Sequence, residues 1–412
     1  MRVVVIGGGI IGLLCAYHLR RLGAEVVVLE RQRVGAACSA GNAGWVTPSI
    51  STPVPAPGLR TKMLRWMLRP DSPLYIRPAA ALGMLGWLLD FWKHCNAADF
   101  SAGAAAFAAL AADTLALYDE LAADGVEFES RSDGLLMAFR DPAEQAEELA
   151  LLEALAYGPL RVLDADELCD LEPALASGLA GGIHILPERC VRPEQVCAAT
   201  AEHLRRDGTR IEETCEVEHL LLEGHRAHAA KTPTEEVEAD AFVIATGAEA
   251  SRLAAQCGSP LPLQAGKGYS VTITRPRIEL RYPLYLGSSK IGVTPFAGAL
   301  RVAGTMELSG INLRLDGRRV AALKRGAERE IPGVLAGGEA VEWVGLRPMT
   351  PDGLPILGRL ATCDNVFVAT GHQMLGVTLA PSTGKAMAQL IVEGRSEVDL
   401  EPFAASRFGR RG

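Results

Sequence analysis

The glycine turn at residues 7–12 constrains this chain more than anything that follows it. Gly7-Gly8-Gly9-Ile10-Ile11-Gly12 comes directly after the β-branched run Arg2–Ile6 and opens the helical pattern Ile11–Leu22; a second strand pattern, Glu25–Leu29, is next. Glycine at the first, third and sixth positions of a strand–turn–helix–strand unit is the arrangement of a dinucleotide site. Gly7 permits the tight turn, Gly9 lets the backbone approach a pyrophosphate, and Gly12 lets helix and strand pack closely. The amides of Ile10 and Ile11 start the helix, whose positive end faces the anion. Glu30 closes the second strand where a carboxylate accepts both ribose hydroxyls, with Arg31 beside it. An acid at this point fits an unphosphorylated ribose, so FAD or NAD is indicated and NADP disfavoured.

A chain of 412 residues is too long for one hydrophobic core. From Val46 to Pro78 it is rich in proline and turn residues, which predicts irregular structure where it leaves the nucleotide unit. Alanine-rich helices are expected over Ala79–Asp124 and Pro142–Tyr157, with a strand over Gly134–Phe139 between them. A helix over Pro193–Arg206, alternation over Ile211–Ala229 and an apolar strand over Ala241–Ala245 follow. Leu263–Thr305 is strand- and turn-rich, Gly317–Glu330 reads as a helix, and the end of the chain as a strand, Val366–Ala369, a glycine turn and a helix, Thr383–Val392. Nucleotide-type signals at both ends and near the middle imply interleaved domains. The fold class is therefore α/β (α+β), with a Rossmann-type domain over 1–60, 190–258 and 338–412. A substrate domain over 61–189 and 259–337 is expected to be built on a mixed, largely antiparallel sheet with helices.

The formal charge of -8 and pI near 5.6 come without a basic block, which argues against nucleic acid as a partner. Nine cysteines are scattered without a C-x-x-C pair or zinc spacing, so no metal is expected and reduced thiols fit a cytoplasmic chain. The start shows no secretory pattern, which points the same way. Ala79–Trp92 is the most apolar stretch; it is shorter than the roughly 20 residues that span a bilayer and carries Asp90. Trp66, Trp87, Phe91 and Trp92 gather around it and keep peripheral contact with the inner face of a membrane open as a second reading.

Three further segments bear on the cofactor. Arg33 and the small residues Gly35–Gly44 would let backbone run beside a long, flat ligand, with Ser39, Ala40, Gly41, Asn42 and Gly44 in reach of its diphosphate and ring; this favours FAD. Thr246-Gly247 ends a buried strand where an adenosine can pass. Gly371-His372-Gln373-Met374-Leu375-Gly376, continuing into Val377 and Thr378, follows a strand, and its amides would point at the flavin pyrimidine carbonyl. His372 is either part of this chemistry or a satisfied loop histidine.

Over essentially its whole length the chain resembles the D-amino acid oxidase superfamily of FAD-dependent enzymes, and within it the bacterial D-amino acid and D-hydroxyproline dehydrogenases. GGGIIG with Glu30, SAGNAGWVTPS with PDSPLYIRP, RVAGTME (301–307), GLRPMTPDGLPILG (345–358) and GHQMLGVTLAP carry the resemblance in the family's order. It implies that Arg347 binds the substrate carboxylate, for which a planar, always-charged guanidinium is suited; the alternative is an arginine paired with Glu307 or Asp352. It also implies that Tyr269, in KGYS, borders the active site, unless it is a core residue. The implied reaction takes a hydride from Cα of a small D-amino or D-imino acid, such as a D-proline or D-hydroxyproline, to flavin N5. Electrons then pass to a quinone or an electron-transfer partner. A glycine- or sarcosine-type amine oxidase using oxygen is the runner-up; a non-catalytic FAD-binding subunit of a heteromeric dehydrogenase is the alternative from another class.

Overall fold

The computed structural model describes residues 1–60, 63, 72, 74–155 and 158–409; Trp66, part of PDSPLYIRP and the expected helix end at Tyr157 lie outside them. Two large sheets organise the chain. The first has six strands in the order Arg210–Glu212, Glu25–Leu29, Arg2–Ile6, Ala241–Ile244, Val366–Thr370, Ile356–Arg359, all parallel except the last. Its central strands read VVVI and AFVI because both faces are covered, as a parallel sheet requires. On one face Leu13, Leu14, Val196, Leu204, Leu379 and Met387 form a core with the helices Ile10–Arg21, Pro193–Arg206 and Gly376–Glu393. On the other, the three-stranded meander 219–238 and the helix Ala250–Gln256 pack onto Val4, Phe242, Ile244 and Val368.

The second sheet has nine strands and is mixed but largely antiparallel, running from the edge strand Ala340–Met349 through Gln264–Thr274, Ala299–Leu308 and Ile291–Phe296 to strands between 135 and 185. Its core lies under the helix Gly317–Glu330. The division expected from the sequence sends 338–412 to the nucleotide side. Ala340–Met349 instead pairs along its whole length with Gln264–Thr274, and the chain rejoins the first sheet at Ile356. Gly345 and Pro348 make this segment read as a turn, but proline is tolerated in a strand at a sheet edge.

The helix Gly376–Glu393 begins seven residues before the expected Thr383. Pro381 misled the sequence reading, because proline removes the donor that would reach the carbonyl four residues back. That carbonyl, Val377 O, accepts from Tyr118 Oη at 2.7 Å instead, and Thr114 Oγ1 donates to the next, Thr378 O, at 3.1 Å. The residues 97–123 that supply these hydroxyls are long and apolar enough to cross a membrane by length and composition. They form two helices, Ala97–Ala111 and Thr114–Ala123, whose Phe107, Leu110, Tyr118 and Leu121 are buried in the first core.

Candidate active site

The glycine turn opens a space bounded by backbone. Gly7 has φ +113°, and a Cβ there would lie 2.6 Å from Ala245 O; one on Gly12 would collide with Gly7 O. A Cβ on Gly9 would meet nothing closer than Ser39 Oγ at 3.6 Å. The helix Ile10–Arg21 starts from Gly9 with no side-chain cap on its N-terminal amides, although the first of them, Ile10 N, donates to Ser39 Oγ at 3.1 Å. The Glu30 carboxylate accepts from Gly8 N at 2.7 Å and Gln32 N at 2.8 Å. Thr246 Oγ1, beside Gly7, is buried without a partner, and Gly247 O accepts from Thr370 Oγ1 at 2.8 Å. Uncapped amides, a ribose-ready carboxylate and an orphaned hydroxyl fit a dinucleotide. Arg31 points elsewhere, its guanidinium held by Glu249.

The loop 35–44 is stitched down at Asn42. Its Oδ1 accepts from Gly44 N at 2.8 Å, its Nδ2 donates to Met374 O at 3.3 Å, and its carbonyl accepts from Arg301 Nη1 at 2.8 Å. Ala40, partly buried in the same loop, donates its amide to Ala37 O. Asn42 thus ties the loop to the Gly371–Leu375 turn, where Gln373 N reaches Pro348 O at 3.2 Å. The second helix to begin here, at Gly376, also has no side-chain cap. Val377 is buried, and Thr378 Oγ1 accepts from Thr47 N and donates to Trp45 O, both at 3.1 Å, which fixes the exit of the loop against the helix start.

His372 is buried in its loop. Its ring is 3% exposed, Nε2 lies 3.1 Å from Thr383 Oγ1, and burial pushes its pKa down to about 3, so it is neutral at physiological pH. Tyr269 lies in the core of the large sheet. Side chains alternate along a strand, and Tyr269 shares a face with Val271 and Ile273. Its Oη donates to Glu307 Oε2 at 2.6 Å, and burial first, then this bond, pushes its pKa up.

Arg347 lies on the opposite face. It pairs across the strands with Gly266, and its guanidinium lies against Gly268, where any Cβ would collide with it. Nη1 donates to Thr305 O at 2.7 Å; Thr305 has φ +57°, beside an irregularity in strand pairing that turns this carbonyl toward the arginine, and its Oγ1 is buried without a partner. Both suspected counterions are engaged elsewhere: Glu307 with Lys267 Nζ at 3.4 Å and with Tyr269, Asp352 with Arg407 Nε at 2.6 Å. No carboxylate pairs with Arg347 among the described residues. Burial lowers its pKa, with the nearby Cys38 opposing, but a guanidinium remains charged.

Two indoles that sequence reasoning missed flank this face. Trp343 shares the face of Gly345 and Arg347 by alternation, and its ring lies against the backbone of Gly41 and Gly345. Trp45, next after the loop, donates from Nε1 to Thr294 Oγ1 at 2.9 Å, covers Gly292 and meets Tyr285 edge-on. The signal for Trp343 was the two-residue spacing in WVGLR, legible only once that segment is known to be a strand.

The family model described as FAD dependent oxidoreductase (DAO) matches residues 2–390. The chain belongs to that family. It is therefore an FAD-dependent oxidoreductase, and the nucleotide that fits the glycine turn is FAD. A D-amino acid dehydrogenase of Bradyrhizobium diazoefficiens is 32% identical over an alignment of 429 residues that covers all of both chains. Among solved structures, glycine oxidase from Geobacillus kaustophilus is similar with a TM-score of 0.77 and 25% identity, covering 98% of this chain and 99% of that one. L-proline dehydrogenase from P. horikoshii shares the fold with a TM-score of 0.79 at 19% identity, covering 99% and 98%.

Proposed function

We propose that this oxidoreductase dehydrogenates a small D-amino or D-imino acid, a D-proline or D-hydroxyproline among them, with the substrate carboxylate on Arg347. The observation that carries this is a partly buried guanidinium that has no carboxylate partner among the described residues and lies against a bare glycine backbone. A cation left without its countercharge is costly unless a ligand brings one, and a planar fork suits the one anion that every amino acid has. The full-length relative named as a D-amino acid dehydrogenase supports the substrate class. FAD supplies the two-electron acceptor. Trp45 and Trp343 wall the face and keep water from it, while Arg347 fixes the orientation of the substrate. His372 and Tyr269 are both committed to internal bonds, so the substrate amine enters neutral or loses its proton to water. Electrons leave to a quinone or an electron-transfer partner. The likeness to a glycine oxidase favours a second reading, a glycine- or sarcosine-type amine oxidase using oxygen.

Anaerobic mixing of the flavin-loaded enzyme with D-proline, cis-4-hydroxy-D-proline, D-alanine, glycine and sarcosine tests both. Bleaching of the flavin by the D-imino or D-amino acids is expected, followed by slow recovery in air and fast recovery with a quinone. Arg347→Ala is expected to keep its flavin and lose roughly two to three orders of magnitude in kcat/KM, with Arg347→Lys between. Preferential bleaching by glycine or sarcosine with fast recovery in air would give the oxidase reading precedence; no bleaching by any of them would leave a non-catalytic subunit.

A further inference from the structure

The helical stretch 78–94 carries an apolar surface that the fold does not use. It runs through Pro78–Ala81, Leu82–Met84 and Leu85–His94 in succession. One side, Met84, Trp87 and Phe91, is buried in a cluster with Ile76, Leu308 and Met349. The other side presents Leu82, Leu85, Leu89 and Trp92, exposed by 83%, 54%, 56% and 37%. Spacings of three and four put these on one stripe. A helix that is apolar all round belongs in a core or against lipid, and here only half of it has a core. Scattered exposed leucines need no explanation, but a contiguous row does.

The charges around the stripe say what covers it. Arg77 and Lys93 are exposed. The Arg60 guanidinium sits 5.6 Å from the centroid of the Trp92 ring, and its Nε donates to Trp92 O at 3.1 Å. Asp90 is the one acidic residue between 74 and 94, and Lys93 Nζ holds it at 3.1 Å. A second segment leaves the same end of the large sheet, where Arg77 N donates to Leu308 O at 3.0 Å. It adds Ile311, Leu313 and Leu315, exposed by 61%, 56% and 43%, with exposed Arg314 between them and no acid from 308 to 315. A chain with a net charge of -8 thus gathers exposed leucines, a tryptophan and a basic rim at one end. A second copy of so acidic a chain would have to supply its own acidic patch to match; a bilayer with anionic headgroups supplies charge and apolar depth together.

We infer that the 82–92 stripe docks in the plane of an anionic lipid surface, with the exposed 311–315 segment as a second apolar contact. This goes beyond the catalytic reading and does not depend on it. The test is co-sedimentation of the full-length, flavin-loaded protein with vesicles of phosphatidylcholine alone and of phosphatidylcholine mixed with phosphatidylglycerol. Binding to the mixed vesicles is expected, weakened by salt. Leu85→Gln with Leu89→Gln is expected to lower it about tenfold, with flavin spectrum and melting temperature unchanged, while Val162→Gln, at an exposed residue outside the stripe, has no effect. Unchanged binding by the double variant overturns the proposal, as does equal binding to neutral vesicles. A protein that ignores vesicles and forms a dimer that the double variant splits would assign the stripe to a contact between copies instead. Should the double variant fail to fold, Leu82→Gln, at the most exposed of the four, makes the same comparison.

Discussion

Arg347, partly buried, and Glu188, buried, both lack an oppositely charged partner among the described residues, and they lead to different expectations. Arg347 cannot give up its charge, which is why the proposed function gives it an anion. Glu188 can. It is 1% exposed, its Oε1 accepts from Ser49 N at 3.0 Å and from Ser49 Oγ, and Oε2 is bare. Burial pushes its pKa up to about 8. The folded state therefore holds a proton that the unfolded chain releases near the ordinary carboxyl pKa, and stability falls as pH rises from about 4.5 through about 8. Glu188→Gln, which keeps the acceptor for Ser49 and removes the titration, is expected to gain on the order of 2 kcal/mol at pH 8 and little at pH 4.5, read from urea unfolding at the two pH values.

Among the elements, the helix Gly376–Glu393 shows how a local rule is satisfied from a distance. Pro381 inside it would leave Val377 O bare without Tyr118 from another helix. Tyr118→Phe is expected to cost about 1–3 kcal/mol, the cost of an orphaned buried carbonyl. Pro381→Ala restores an amide donor, so it should cost less in the Tyr118→Phe background than alone; thermal melts of the four proteins measure that coupling. If the two changes simply add, the hydroxyl is not standing in for the missing amide.

At the scale of the whole molecule, two kinds of buried group set opposite pH limits. Burial pushes the pKa of His18 and of His372 down to about 3. Each is protonated in the unfolded chain near the ordinary histidine value but stays neutral when folded, so the stability it contributes is full above about pH 6.5 and is lost as pH falls toward 3. Together with Glu188, this places the greatest stability at mildly acidic pH, between the two slopes; melting temperature against pH measures it, and His18→Gln should flatten the acid side. In the proposed FAD site, one ligand would bridge strand ends, the 35–44 loop and the turn before Gly376, which are far apart in sequence. Stripping the flavin is expected to lower the melting temperature by about 5 °C or more, recovered by adding FAD.

The glycine turn and Glu30 were legible in the sequence because their chemistry is local: a turn geometry, a helix end and a carboxylate one strand later. The helices Pro193–Arg206 and Gly317–Glu330 begin and end where the local sequence pattern places them, for the same reason. Only the tertiary structure could decide whether Arg347 has a counterion, which way Tyr269 faces, that Thr383 satisfies His372, and that two indoles border the site. Each depends on strand register or on a partner elsewhere in the fold, 38 residues away for Tyr269 and Glu307 and 259 for Tyr118 and Val377. The pattern of a segment states what its side chains need, and the packing of the whole chain decides which neighbour answers that need.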